Sequence, residues 1–206
     1  MPRQKGGGTI VVAGPDGTGK STLARNLLAG PLAHERVLHI YGRPKVLPRP
    51  SREQAPSAAE NRNKPPYPVW LSILRTLYVF VDFVLGWIVH VRPVVRAGGW
   101  VLIERGWWDL VVDPRRLRLQ GSTGLARLLA AIAPRPDLFL ILEAPADVVR
   151  SRKSRASDAE VVRQVRLWQT ILPGRARRAY LDANQPAEVV LQLAEAELRR
   201  LDGGGR

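Results

Sequence analysis

Residues 14–22 read Gly-Pro-Asp-Gly-Thr-Gly-Lys-Ser-Thr and fit the spacing G-x-x-x-x-G-K-[ST] in full. Each residue type suits the gripping of a polyphosphate. Gly14, Gly17 and Gly19 permit backbone conformations that turn successive N–H groups inward. Lys20 can reach the outer phosphates, the Ser21 hydroxyl can ligate Mg²⁺, and Thr18 and Thr22 line the same stretch. The pattern specifies a nucleoside triphosphate such as ATP, and leaves open what is done with it.

Other residues bear on that question. No N-K-x-D run is present to read a guanine base, which excludes a switch GTPase. The run ending in Glu143 could pass for the acidic strand of a motor ATPase, but the chain is small and lacks the partner motifs. A small-molecule kinase needs a carboxylate near the metal, cations on the moving phosphoryl group and an acceptor pocket. Glu104-Arg105 supplies a carboxylate and a guanidinium together, with a surface ion pair as the plain alternative. Arg150, Arg152, Lys153 and Arg155 crowd one short stretch, where a solvated basic face is the competing account. Tyr67, Trp70, Trp107 and Trp108 are candidates for an acceptor wall, against ordinary core packing. Asp113-Pro114-Arg115-Arg116 reads as a turn whose Arg115 either touches the acceptor or faces solvent.

These residues need elements to position them. The β-branched run 9–13 before the glycine loop reads as a buried strand, and 21–28 after it has helical spacing. Residues 37–41, 100–103, 137–142 and 179–181 are further strand candidates, the last a short one. Helices are expected at 124–132, 146–155, 158–171 and 187–201. Near-continuous apolar strands alternating with helices specify an α/β fold: a parallel sheet covered on both sides. Residues 42–68 are dense in Pro, Arg, Ser and Asn and form a long functional loop, and the tail 203–206 is frayed. Residues 69–91 are long and apolar enough to span a bilayer, but Arg75 and Asp82 would each cost roughly 2.5–3.5 kcal/mol at its centre. A core helix is expected, not a transmembrane one. Arg75, Tyr78 and Asp82 share one of its faces and must meet a partner or a cleft.

The 206 residues carry 32 Lys+Arg against 18 Asp+Glu, a net charge of +14. That charge suits nucleic acid, acidic lipid or phosphorylated small molecules and cannot choose among them. With 45% apolar residues the chain is not disordered, and its length fits a single domain, 1–206. The absence of cysteine and an N-terminal apolar run too short for a signal peptide agree with a cytoplasmic location.

Taken in order, the segments GPDGTGKST, HIYGRPKVLP, NKPPY, VRPVVRAGGWVLIERG, DLVVDPRR, DLFLILEAPADVVRSRKSR and LDANQPAEVV resemble the thymidylate kinase group of P-loop nucleoside and nucleotide kinases, and in particular a bacterial thymidylate-kinase-like subgroup with a DLLVDPRR-type motif. The resemblance covers nearly the whole chain. It implies a three-layer sandwich with a five-stranded parallel sheet and a mobile lid at 150–160, with ATP as donor and Mg²⁺ as cofactor. Ser21 and Glu104 would hold the metal, Arg105 would contact the phosphoryl group or the acceptor, and Arg152 would stack on adenine. Lys153 and Arg155 would reach the phosphates when the lid closes, and Asn184, Gln185 and Pro186 match a loop beside adenine. Asp16 and Arg43 match residues that meet the acceptor, with Asp82, Trp108 and Asp109 near them. Phe83 follows Asp82 where that family has a base-reading arginine, so the acceptor is left open among nucleotide, nucleoside and sugar-like alcohol. A homodimer is open too. An alternative is a degenerate kinase fold that binds nucleic acid or acidic membrane, against which the intact Lys20-Ser21 pair weighs.

Overall fold

In the computed structural model, residues 7–48, 64–145, 148, 158–171 and 176–203 are described. Five strands, β1 (Gly8–Ala13), β2 (Val37–Tyr41), β3 (Trp100–Glu104), β4 (Leu138–Glu143) and β5 (Arg177–Asp182), form one all-parallel sheet in the order β2-β3-β1-β4-β5. The helices are α1 (Lys20–Ala29), α2 (Val69–Gly86), α3 (Arg92–Arg96), α4 (Trp107–Val112), α5 (Thr123–Ile132), α6 (Asp158–Thr170) and α7 (Ala187–Gly203). Ile10–Ala13 are fully buried because β1 lies at the centre with helices on both faces. Alternation along β1 sends Val11 and Ala13 to one core and Ile10 and Val12 to the other. The first core takes Val79 and Phe83 of α2, Trp107 and Trp108 of α4, Leu129 of α5 and Trp168 of α6. The second takes Leu23 and Leu27 of α1 with Val190, Ala194 and Leu198 of α7. The α/β architecture is that of a P-loop kinase.

The long apolar segment departs from the helix expected over 69–91. α2 ends at Gly86, a wide π-helical turn runs over Trp87–Val91, and α3 carries on from Arg92. Pro93 lacks an N–H and its ring presses on the carbonyl four residues earlier, and a widened turn relieves that clash. Gly86 is needed for packing, since a Cβ there would sit 2.3 Å from the Pro44 carbonyl oxygen. The continuous run Val69–Arg96 is long and apolar enough to cross a bilayer, yet Val79, Phe83, Trp87 and Val91 lie in the first core.

The polar stripe on α2 finds its partner in the described part of the 42–68 loop. Asp82 accepts hydrogen bonds from Arg43 Nε at 3.0 Å and from the Val46 and Leu47 amides at 2.9 and 2.8 Å. The Tyr78 hydroxyl donates to the Pro48 carbonyl, and Arg75 lies over the Tyr67 ring. Helix α4 was not anticipated. Gly106 opens it, and the Asp109 carboxylate folds back to accept from the Gly106 amide at 2.9 Å. The helix expected at 146–155, which begins the proposed lid, and residues 49–63 and 204–206 lie outside the described residues.

Candidate active site

All five strands are parallel, so their carboxyl ends share one edge, and the residues singled out for chemistry gather there. The loop after β1 is shaped by glycine. Gly14, Gly17 and Gly19 have φ values of 132°, 93° and 88°, in the left-handed region that other residues avoid. A Cβ on Gly14 would lie 2.4 Å from the Leu142 carbonyl oxygen, so the loop can press against β4 only with glycine there. Thr18 Oγ1 donates to the Pro15 carbonyl and Gly19 caps α1, so the first amides of that helix open toward the loop. Thr22 lies exposed on the first turn of α1.

Lys20 folds back over this loop and donates to the carbonyls of Gly14 at 2.7 Å and Pro15 at 2.5 Å. Burial pushes its ammonium down to about 8; the Arg105 charge adds to the fall, and Asp16 and Asp109 oppose it. Asp16 is the hub of the cleft's ion pairs, 2.8 Å from Arg105, 3.6 Å from Lys20 and 3.9 Å from Arg116. Arg105 has φ 67°, costly for a residue with a side chain, and that conformation accompanies its turn onto Asp16. Burial works against its charge, but Asp16 and Asp109 hold the guanidinium above its ordinary value. The Ser21 hydroxyl donates to Glu104 Oε2 at 2.6 Å, which sets two hard oxygen donors side by side at the mouth of the loop.

Asp109 faces the same cleft, which Asp16, Arg105, Arg116, Gln164 and Trp168 also line. Burial raises its carboxyl to about 6 against the pull of Arg105 and Lys20. A carboxyl raised in the folded state binds more protons there than in the unfolded chain. Stability therefore falls as pH rises from 3.8 to about 6. Urea melts across this interval should show that slope in the native protein and a flatter one in Asp109→Asn.

Several anticipated site residues have other surroundings. Trp107 and Trp108 do not wall an acceptor pocket: they are 1% and 0% exposed, and Trp108 packs edge-on against Phe139 at 4.7 Å. Two large apolar rings after a strand gain more from the core than from a wet cleft. Trp70 is 64% exposed on the first turn of α2. The Tyr67 ring is covered by Arg118 at 4.2 Å and Arg75 at 5.1 Å and is not part of the cleft lining. Arg43 and Asp82 are paired with each other, and Arg115 is exposed while its neighbour Arg116 reaches Asp16. Asn184, Gln185 and Pro186 are exposed at the carboxyl end of β5, where Asp182 Oδ1 accepts from the Asn184 amide. Arg150, Arg152, Lys153 and Arg155 lie outside the described residues. His39, Arg116, Gln164 and Trp168 belong to this edge without having been anticipated.

Among the described residues there is no group of three or more His, Cys, Asp or Glu to hold an ion. The oxygen pair of Ser21 and Glu104 nevertheless fits Mg²⁺, which binds through one or two protein oxygens and completes its shell with phosphate and water. No protein-family model matches the chain. The chain is 28% identical to proteins named thymidylate kinase from Xanthomonas oryzae pv. oryzae strains PXO99A, MAFF 311018 and KACC10331 / KXO85, over 218 aligned positions that cover 97% of this chain and 88% of each relative. The likeness to these proteins runs from end to end of the chain and takes in the parallel sheet and the glycine loop.

Proposed function

We propose that the protein moves the γ-phosphoryl group of MgATP to a small-molecule acceptor, a nucleotide or nucleoside. The observation that carries this is the apposition of Lys20, Ser21 and Glu104 at one loop on the carboxyl edge. Lys20 would leave the Gly14 and Pro15 carbonyls and donate to the outer phosphates. Inward amides and the start of α1 would take the rest of the triphosphate chain. Ser21 and Glu104 would hold Mg²⁺, which when bound neutralises charge on the donor phosphates. Arg105 would turn from Asp16 toward the moving group as it gains charge, and Asp16 would then be available to an acceptor hydroxyl. Arg152 and Arg155 are proposed as closing cations, and Asn184, Gln185 and Pro186 as the adenine side. The likeness to proteins named thymidylate kinase supports a nucleotide acceptor.

A non-nucleotide alcohol is the second reading. Phe83 favours it, since this ring is fully buried and offers no hydrogen bond to a base, while both Asp82 oxygens are engaged by the 43–47 loop. The deciding experiment offers MgATP with nucleosides, nucleoside monophosphates and sugar alcohols in turn and follows ATP consumption. A nucleoside or monophosphate should drive turnover, and Glu104→Gln should lower kcat on the order of 10²–10³-fold. Turnover with sugar alcohols alone would select the second reading, and no turnover with any class would end both.

A further inference from the structure

We propose that His39 is the positioning residue of the metal site: it holds Glu104 in the orientation that presents one oxygen beside Ser21. The inference rests on the phosphotransferase proposal above and deepens it. Glu104 ends β3 and is 3% exposed. Its backbone is fixed on both sides, by the Gly42 amide on its carbonyl at 2.7 Å and by the next amide, that of Arg105, on the Val12 carbonyl at 3.3 Å. Among the described residues the side chain beyond Cα has two hydrogen-bond partners, one on each oxygen: Ser21 Oγ at 2.6 Å on Oε2, and His39 Nε2 at 2.9 Å on Oε1.

The sheet register explains why a β2 residue can do this. Tyr41 pairs with Glu104 and His39 with Leu102, so His39 is the diagonal neighbour of Glu104 on the same face. A carboxylate only accepts, so Nε2 carries the shared proton. Once the Ser21 oxygen turns to an ion, its bond to Oε2 is exchanged. Among the described residues His39 is then the remaining hydrogen-bond partner that keeps Glu104 from rotating toward the nearby cations. Groups that orient a metal-holding carboxylate from behind change metal affinity by roughly 10–100-fold when removed.

The test uses the full chain with Mn²⁺ and a non-hydrolysable ATP analogue, and reads bound Mn²⁺ by electron paramagnetic resonance. His39→Ala should weaken Mn²⁺ uptake about tenfold. It should leave analogue affinity in EDTA and the far-ultraviolet circular dichroism unchanged. His39→Gln, whose amide N–H can donate to the same oxygen, should restore most of the loss. In a Glu104→Gln background, His39→Ala should have no further effect on Mn²⁺. Native Mn²⁺ affinity in His39→Ala, or an equal loss in EDTA, would overturn the role of His39 alone. A native protein that takes up no analogue would overturn the phosphotransferase proposal as well. Should His39→Ala fail to fold, the same comparison is made between the native protein, His39→Gln and His39→Phe. Phe fills the ring's space without donating, so only loss in Phe with retention in Gln supports the role.

Discussion

Lys20→Met is expected to abolish phosphoryl transfer and, at the same time, to make the protein without nucleotide harder to melt. Turnover should fall on the order of 10³-fold, as when one donor to a developing charge is removed from a closed site. The gain in stability follows from burial. A lysine whose ammonium falls from 10.5 unfolded to about 8 folded binds fewer protons in the native state at intermediate pH. Below pH 8 both states are charged, and the folded one bears a net penalty of about 3 kcal/mol, led by burial and added to by the Arg105 charge. Methionine has a similar length and no charge, so it removes that burden. It also strips the Gly14 and Pro15 carbonyls of a donor, at about 1 kcal/mol each. The net is about 1 kcal/mol in favour of the variant, a rise of about 2–4 °C in Tm for a chain of this length. In the native protein the same group makes stability rise between pH 8 and 10.5, and the variant should lose that rise. Calorimetry across this range with kcat on the same samples checks both halves. An equal fall in kcat and Tm would show instead that Lys20 acts as a structural clamp.

Asp82→Ala should be among the most destabilising single changes in the described structure. Asp82 is 1% exposed, and its removal leaves the Val46 and Leu47 amides and the Arg43 guanidinium without their partner. Breaking a buried pair from one side costs about 3 kcal/mol or more, or roughly 6–12 °C in Tm. Burial pushes the Asp82 carboxyl up, but the two amides and Arg43 hold it below 3.8. Its contribution is fully present above pH 3.8 and disappears as pH falls through the lower folded value. Native and variant melting curves should therefore differ at neutral pH and converge only in strong acid. Asp82 was singled out as an acceptor-binding residue. If it touches the acceptor directly, Asp82→Asn should raise KM with little change in Tm. If it holds the loop, both variants should lose Tm first.

Features contiguous in the chain could be read directly. The glycine loop is one run, and Glu104-Arg105 is visible because it ends a strand whose apolar run announces itself. Burial of β1, β3 and β4 from both sides leaves uninterrupted apolar stretches, and the half-exposed edge strands β2 and β5 follow the same alternation with helices, so each strand lies within a residue or two of its expected place. The polar stripe Arg75, Tyr78, Asp82 was legible from helical spacing. Its backbone partners, the Pro48 carbonyl and the Val46 and Leu47 amides, were not, because backbone groups carry no sequence signal, and the Tyr67 ring meets Arg75 only through the path of the loop. His39 and Glu104 are 65 positions apart and meet only through strand register. Arg115 and Arg116 look alike in the sequence, and a single 3₁₀ turn over Pro114–Leu117 decides which faces Asp16. Trp107 and Trp108 could serve a cleft or a core equally well by type, and only the packing of Phe83 and Phe139 against Trp108 distinguishes the two.

The place of β1 at the middle of the sheet also has a consequence for the order of assembly. β1 is the first strand made, yet both strands that flank it, β3 and β4, come much later, and no hairpin joins any two neighbours. On the ribosome the stretch from β1 to β2 can form α1, but β1 has no strand to pair with until Glu104 has emerged, and its other edge stays open until Glu143 follows. Non-local pairing of this kind makes folding slow, since long loops must be closed before any contact rewards them. The nucleotide loop is thus translated early and completed late, and the apolar Ile10–Ala13 run waits uncovered in the meantime.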